Sequence, residues 1–188
     1  MPRTVDVEER DRKVSEAAWR VLVRDGIPAL TVRRIAAEAG LPPSSLRYTF
    51  PTQASVRVRA YELALERVKA RVATIPRDDA QWARKVLLEL LPLDDQRRPE
   101  MEVSLALGTA ALTDRSLHRP HLTGHRLAHD LCEQVIRTHA VPTADISVET
   151  RRLHALIDGL AMHLAGQDPD DDTAWAVQVL DTHLTRLG

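Results

Sequence analysis

Two groups of residues combine side chains and spacing that could do chemistry. The first is TVRRIAAEAGLPPSSLRYTF at residues 31–50, where arginines, hydroxyls and an aromatic ring crowd a short stretch. It reads as two short helices joined by a turn containing Gly40, the layout of a helix-turn-helix. Ile35, Ala36, Ala39, Leu41 and Leu46 can bury both helices against a preceding one, and the alanines let the backbones approach at a large crossing angle. Thr31, Arg33, Pro43, Ser44, Ser45, Arg47, Tyr48 and Thr49 remain for other surfaces. Short polar groups at the start of a helix suit base edges, and longer or aromatic groups suit flanking phosphates. The Arg47 fork fits either a guanine edge or a phosphate. The expected partner is double-stranded DNA.

The second group is a ladder of His121, His125 and His129 at four-residue steps, with Cys132 three further on, all along one helix face. Adjacent members stand ~6 Å apart over one turn and the outer pair ~12 Å apart, so at most two or three could share an ion, and a complete site needs a second helix. No metal is therefore assigned. Metal sensing through His121, His125 and His129 is kept as an alternative, beside a partly solvated face or the wall of a polar pocket. The chain has no G-x-S-x-G elbow, P-loop, G-x-G-x-x-G or H-E-x-x-H motif, so it is not read as an enzyme and no cofactor is expected.

The elements that must position these groups are helical. Val and Ile recur at three- and four-residue steps instead of alternating, and aromatic residues are only 3% of the 188. An all-α fold of about nine helices follows. Val14, Ala17, Ala18, Val21 and Leu22 mark a first helix ended by Gly26, Thr31 caps a second ended by Gly40, and Pro43 to Phe50 is a third stopped by Pro51. A long helix runs from Thr52 to before Pro76, and five more are expected near 78–91, 98–113, 117–140, 144–166 and 171–187.

Charge divides the chain as well. Net charge is −1, yet residues 1–75 hold 14 Lys/Arg against 9 Asp/Glu and residues 76–188 hold 12 against 18. A basic reading head and an acidic body facing elsewhere are implied. The charged start and the lack of any long apolar run argue against secretion and membrane spanning, and the single thiol, Cys132, against an internal disulfide, so a cytoplasmic protein is expected.

Residues 14–56, with W-x-x-L-x-x-D-G at 19–26, T-V-R-R-I-A-x-E-A-G at 31–40 and S-L-R-Y-T-F-P-T-Q at 45–53, resemble the N-terminal domain of the TetR/AcrR family of transcriptional regulators. The S-L-R-x-x-F form is most similar to a subgroup that includes choline-responsive regulators of betaine synthesis. The sequence departs from the family at Pro42, where a small polar cap is usual, at Thr49, where an aromatic is common, and at Gln53, where lysine is frequent. The resemblance implies a helix-turn-helix domain over residues 1–51 and a ligand-binding and dimerisation domain over residues 52–188, joined by the helix 52–75. It implies a repressor released from a palindromic operator by a small organic ligand. A helical chromosome-organising or interaction protein that ignores ligand is the other alternative.

Such a body needs a mostly apolar cavity among helices. Trp82, Met101, Leu105, Leu122, His125, Arg126, His129 and Met162 are its candidate lining. Leu153, Leu156, Ile157, Leu160 and Leu164, then Leu180, Leu184 and Leu187, form apolar stripes on the last two helices, expected to build a four-helix homodimer interface, with intrachain packing as the competing use.

Overall fold

The computed structural model describes residues 3–47, 49–139 and 145–187, with side chains from residue 9 onward. Among the described residues there are nine α-helices and no strands: α1 (Arg3–Asp25), α2 (Val32–Ala39), α3 (Pro43–Leu46), α4 (Gln53–Ala73), α5 (Trp82–Leu88), α6 (Arg97–Ala111), α7 (Arg115–His139), α8 (Ile146–Ala165) and α9 (Ala174–Thr185). No described helix is long and apolar enough to cross a membrane.

Local chemistry sets the boundaries in the head. Gly26 follows α1 with a positive φ of 76°, a conformation that costs glycine little. Thr31 accepts the Arg34 amide at the start of α2, at 3.3 Å, as an N-cap hydroxyl does. Gly40, at φ 65°, closes α2: Leu41 donates to the Ala36 carbonyl at 2.9 Å and Gly40 to that of Ala37 at 3.1 Å, the paired bonds of a Schellman turn. At α3 the N-cap is Pro42, which has no side-chain cap bond. This helix is shorter than the expected Pro43–Phe50, since regular α geometry ends at Leu46. A Thr52–Ser55 capping box then restarts the chain as α4.

Further along, α7 begins at Arg115, ahead of the expected 117, and carries Pro120 inside it. Asp114 accepts the Ser116 amide at 2.9 Å and the Ser116 hydroxyl at 2.7 Å. Those bonds start a turn before the proline removes its donor. Asp145 caps α8 through the amides of Ser147 and Val148. The far end of α8 is held by Arg98, whose guanidinium donates to the carbonyls of Leu164, Ala165 and Gln167, a favourable place for a cation.

Apolar packing forms two clusters. The first joins α1, α2, α3 and the first half of α4 with Val103, Leu107 and Ala111 of α6 and Leu117 of α7. The second joins α5 with the rest of α7, α8 and α9. Helix α6 therefore reaches into the floor of the head, and it also packs on the turn Ile27–Ala29.

This packing corrects the reading of the leucine stripes. Leu153, Ile157, Leu160, Leu164, Leu180 and Leu187 are all buried inside their own chain, and Leu156 and Leu184 are half-buried against the same cluster. Most of each apolar stripe is used up in the cluster that holds Trp82, Val86, Leu131 and Val135, so six of these residues are core, and only Leu156 and Leu184 keep part of their surface outward. What α8 and α9 present outward includes Val148, Ala155 and Val179, and a side chain at Gly159 would meet open space.

Candidate functional site

The head exposes a set of groups on α2, α3 and the turn after it. Ile35, Ala36, Ala39 and Leu46 are buried against α1, which leaves Arg33, Pro43, Ser44, Arg47 and Thr49 exposed and Thr31 and Ser45 half-buried. Tyr48 lies outside the described residues. The Ser45 hydroxyl donates to the Pro42 carbonyl at 2.7 Å, and the Arg10 guanidinium donates to the Ser45 carbonyl.

The arginines sort into two kinds. Arg20 and Arg24 bond Glu38 at 2.8 and 2.9 Å, and Arg24 and Arg34 meet Asp25 at 3.0 and 3.4 Å. These hydrogen bonds hold the carboxyls of Asp25, bonded by Arg24, and Glu38, bonded by Arg20 and Arg24, below the ordinary range. Arg33 and Arg47 make no hydrogen bond or ion pair among the described residues. Exposed and uncommitted, they are the cations this surface has available for phosphate or a base edge.

A cavity of about 400 Å³ lies in the body, walled by α4, α6, α7 and α8 and by residues 89–91, just past α5. Met101, Leu105, His125 and Met162 line it. Trp82 does not: it is buried in the second cluster beneath the Arg77 guanidinium, 4.2 Å above its ring. Leu122 is half-buried and Arg126 exposed, both away from the cavity. Their positions on α7 turn off the face carrying His121, Gly124 and His125. His129 also stands outside the wall, beside His154 at a ring separation of 5.9 Å. Leu112 and Met162, 85% and 63% exposed, border both cavity and solvent and mark its mouth.

Sequence reasoning missed Tyr61, Val68, Leu90, His154 and Asp158 as lining, and reached His121 only through the histidine ladder. Tyr61 sits on the helix read as a connector. His154 falls within a leucine stripe, where period alone does not separate core from cavity. The Tyr61 hydroxyl is seated against Gly124 and lies 3.5 Å from the His121 carbonyl. Burial, then Asp158, pushes its pKa up to about 12.

The walls are mostly apolar, with polar groups at two ends. At one, Arg71 donates twice to Glu100, at 2.7 and 2.6 Å, and once to Glu89, at 2.6 Å. Its hydrogen bonds to Glu100, with a smaller contribution from Glu89, hold this guanidinium above its ordinary range. Arg97 bonds Asp94 and lies 3.8 Å from Glu89, so these acids are matched by arginines. At the other end are His121, His125, His154 and Asp158. The ring of His154 is 4.6 Å from that of His125, its Nε2 is 3.7 Å from Asp158, and that buried nitrogen has no hydrogen-bond partner, nor has Nδ1 of His121. Burial, reinforced by neighbouring imidazoles and opposed by Asp158, lowers the pKa of both rings.

The metal alternative meets a different grouping. His121 and His125 have ring centres 6.5 Å apart, and among the described residues the three donors that come within 4.8 Å of one another are His129, Asp130 and Glu133, one exposed and two half-buried on one helix. Cys132 is buried and its thiol is pushed up to about 12, chiefly by burial, which leaves it protonated and unreactive.

Known regulators resemble this chain in both its N-terminal and its C-terminal stretch. Residues 15–57 match the family of bacterial regulatory proteins, tetR family, and residues 79–188 match the C-terminal domain of BetI-type transcriptional repressors. The HTH-type transcriptional regulator PksA of Bacillus subtilis (strain 168) is 35% identical over 176 residues, covering 87% of this chain and 82% of that protein. The multidrug binding protein EbrR, complexed with imidazole, superposes with a TM-score of 0.68 at 28% identity, over 94% of this chain and 89% of that one. A Saccharomonospora viridis protein in complex with choline gives 0.76 at 24% identity over 95% and 96%, a likeness of fold. With a helix-turn-helix at one end, a matching regulator body at the other and a relative aligned across both, the chain belongs to the TetR family of DNA-binding transcriptional regulators and is not an enzyme.

Proposed function

We propose that the chain is a cytoplasmic repressor that binds a palindromic operator as a homodimer and releases it when a small organic molecule occupies the cavity. Thr31, Arg33, Pro43, Ser44, Ser45, Arg47, Tyr48 and Thr49 form the reading surface, with Thr31 also serving as a helix cap. Residues 1–51 act as the head and residues 52–188 as the body, with α4 as the connection. The observation that carries this reading is that Tyr61 and Ala64 of α4 belong both to the packing of the head and to the cavity wall. A molecule that fills the cavity therefore pushes on the helix that carries the head.

Two-fold symmetry follows from reading a palindrome with two heads. The outward faces of α8 and α9, with Ala155, Gly159 and Val179, are the surfaces left for a second copy. Footprinting on the DNA upstream of the gene tests the whole reading, since it expects one discrete two-fold protected site. Uniform protection would replace a repressor with a non-specific DNA organiser. Sedimentation of Ala155→Arg/Val179→Glu is expected to give a monomer, and a variant that stays dimeric would move the interface elsewhere.

A further inference from the structure

We infer that the cavity is built for a protonated primary or secondary amine on an apolar body, its head held by Asp158 with the imidazoles of His125 and His154 as additional acceptors. This rests on the cavity being the inducer site and names the class of molecule it takes. Three observations carry it. Of the three acids in the wall, Glu89 and Glu100 are bonded by Arg71, whereas Asp158 faces no arginine or lysine among the described residues and has only His154 beside it. A carboxylate without a cation, at the edge of an apolar cavity, attracts positive charge and repels an acid.

The second observation is His154 itself. The residue is only 5% exposed, yet its Nε2 has no partner and lies 3.7 Å from that carboxylate. A donor placed on Asp158 stands beside a nitrogen without a partner, which accepts in the tautomer that carries the proton on Nδ1. An ammonium with two or three N–H groups can serve both, and a quaternary ammonium cannot donate at all.

The third is where the aromatic rings are. Quaternary cations are held by cages of aromatic faces. Tyr61 supplies the one such benzene-type ring in this wall. Trp19 and Trp82 are already covered by Arg67 and Arg77, at 4.1 and 4.2 Å, and Trp175 packs against His163. The chemistry present is hydrogen-bonding and carboxylate, backed by Leu90, Met101 and Leu105 for an alkyl or aryl body.

Binding of such a cation is linked to protons. The groups facing the head of the ligand are His121, His125 and, behind them, His129 on α7, His154 and Asp158 on α8, and Tyr61 on α4, with Glu89, Arg97 and the Arg71–Glu100 pair at the far end. Burial favours the neutral form of His121 and His154. Acid that protonates His121 and His154 puts like charge against the ligand, so affinity falls as pH drops.

Calorimetry on the full-length protein with octylamine, octanoate, octanol and octyltrimethylammonium tests this. Octylamine is expected to bind best at about pH 8, to lose about tenfold in affinity in Asp158→Asn, and to weaken further toward about pH 6. Asp158 is exposed, so Asp158→Asn is expected to fold normally. Leu105→Trp, which fills the cavity, is expected to abolish binding of every probe. Octanoate binding more tightly than octylamine, with tighter binding in acid, would overturn the amine class and leave the cavity in place. Octyltrimethylammonium binding as well as octylamine would overturn the role of the N–H donors. Octylamine binding unchanged by Leu105→Trp would overturn the cavity reading itself.

Discussion

Gly124→Ala is the substitution that most directly probes the contact between head and body. A Cβ at this position of α7 would fall 1.7 Å from the Tyr61 hydroxyl oxygen, 2.6 Å from its Cζ and 3.2 Å from Leu65 Cδ2. Real Cβ contacts do not go below 3.0 Å, so the hydroxyl would have to retreat by more than an ångström. Tyr61 is 4% exposed and packed within the first cluster, so its ring cannot swing aside without opening a hole. Either α4 moves away from α7 by a comparable distance or the tyrosine leaves its site. Overpacking of this kind costs ~1–3 kcal/mol. For a chain of this size each kcal/mol shifts the melting temperature by about 2–4 °C, so a loss of roughly 2–12 °C is expected. Displacing α4 also displaces the helix leading out of the head, and operator affinity is expected to fall without ligand present. Thermal melting and fluorescence anisotropy on upstream operator DNA would be measured for Gly124→Ala, Tyr61→Ala and the double variant. The two changes should be strongly non-additive, because once the ring is gone the new methyl has room. A Gly124→Ala protein within ~0.5 kcal/mol of the parent, with unchanged operator affinity, would refute the reasoning, since a contact so short cannot be both real and harmless.

Arg47→Ala and Arg33→Ala are each expected to weaken operator binding and to reduce its salt dependence by about one unit of slope per phosphate contact, with melting temperature unchanged; wild-type binding by both would move the reading surface. Arg71→Met leaves Glu100, 4% exposed, without its bidentate partner, and is expected to cost ~3 kcal/mol by denaturant titration. Most of that loss should return in Arg71→Met/Glu100→Gln, and a single variant as stable as the parent would mean that the pair is not formed. His121, His154 and His183 have folded pKa values lowered below the ordinary 6.5, each chiefly by burial. The unfolded chain therefore binds more protons just below that value. Stability is expected to fall as pH drops through and below the ordinary histidine range, with a shallower fall in His154→Gln; a flat melting profile across that window would contradict it.

How much of this was legible in the sequence depends on the range of the signal. Thr31 and Gly40 are local. A hydroxyl that reaches an amide three residues on, and a backbone conformation that favours glycine, work without knowing the rest of the fold. Both ends of α2 could be read for that reason, as could the absence of a cap at Pro42. The start of α7 is harder to place, because Pro120 looks like a boundary while Asp114, the residue that starts the helix, lies six positions earlier. The leucines of α8 and α9 were legible as stripes but not as to what covers them. Period identifies a face, and whether its partner is the same chain or a second copy is a matter of tertiary packing. The cavity was the least legible element, because four helices distant in sequence contribute to it. Met101, Leu105, His125 and Met162 could be picked out on composition, but nothing local distinguishes the face of α7 carrying His121 and Gly124 from the one carrying Leu122 and Arg126.

The same packing says how a ligand would have to act. Helix α6 turns Met101, Leu105 and Gly108 toward the cavity and Val103, Leu107 and Ala111 toward the floor of the head, while α4 offers Val68 to the cavity, Val56 and Ala60 to the head, and Leu65 to both. Neither helix can absorb a ligand by compression. Gly124 already admits the Tyr61 hydroxyl, and a Cβ at Gly108 would stand 3.2 Å from the His121 ring, so α4, α6 and α7 are close to their limit of approach. Close-packed interiors respond to added volume by moving as units. In the proposed mechanism, a molecule too large for the cavity as it stands favours an arrangement in which α4 and α6 are displaced relative to α7, and the head goes with them. Its leverage is bounded by its differential affinity for the two arrangements: turning a 99:1 preference into its reverse takes ~5.5 kcal/mol, or about 10⁴ in affinity. An apolar body fitting the cavity equally well in both arrangements contributes nothing to that difference. The induction signal has to come from contacts that only one arrangement makes, and the Tyr61 hydroxyl against α7 is one contact that a displacement of α4 would change.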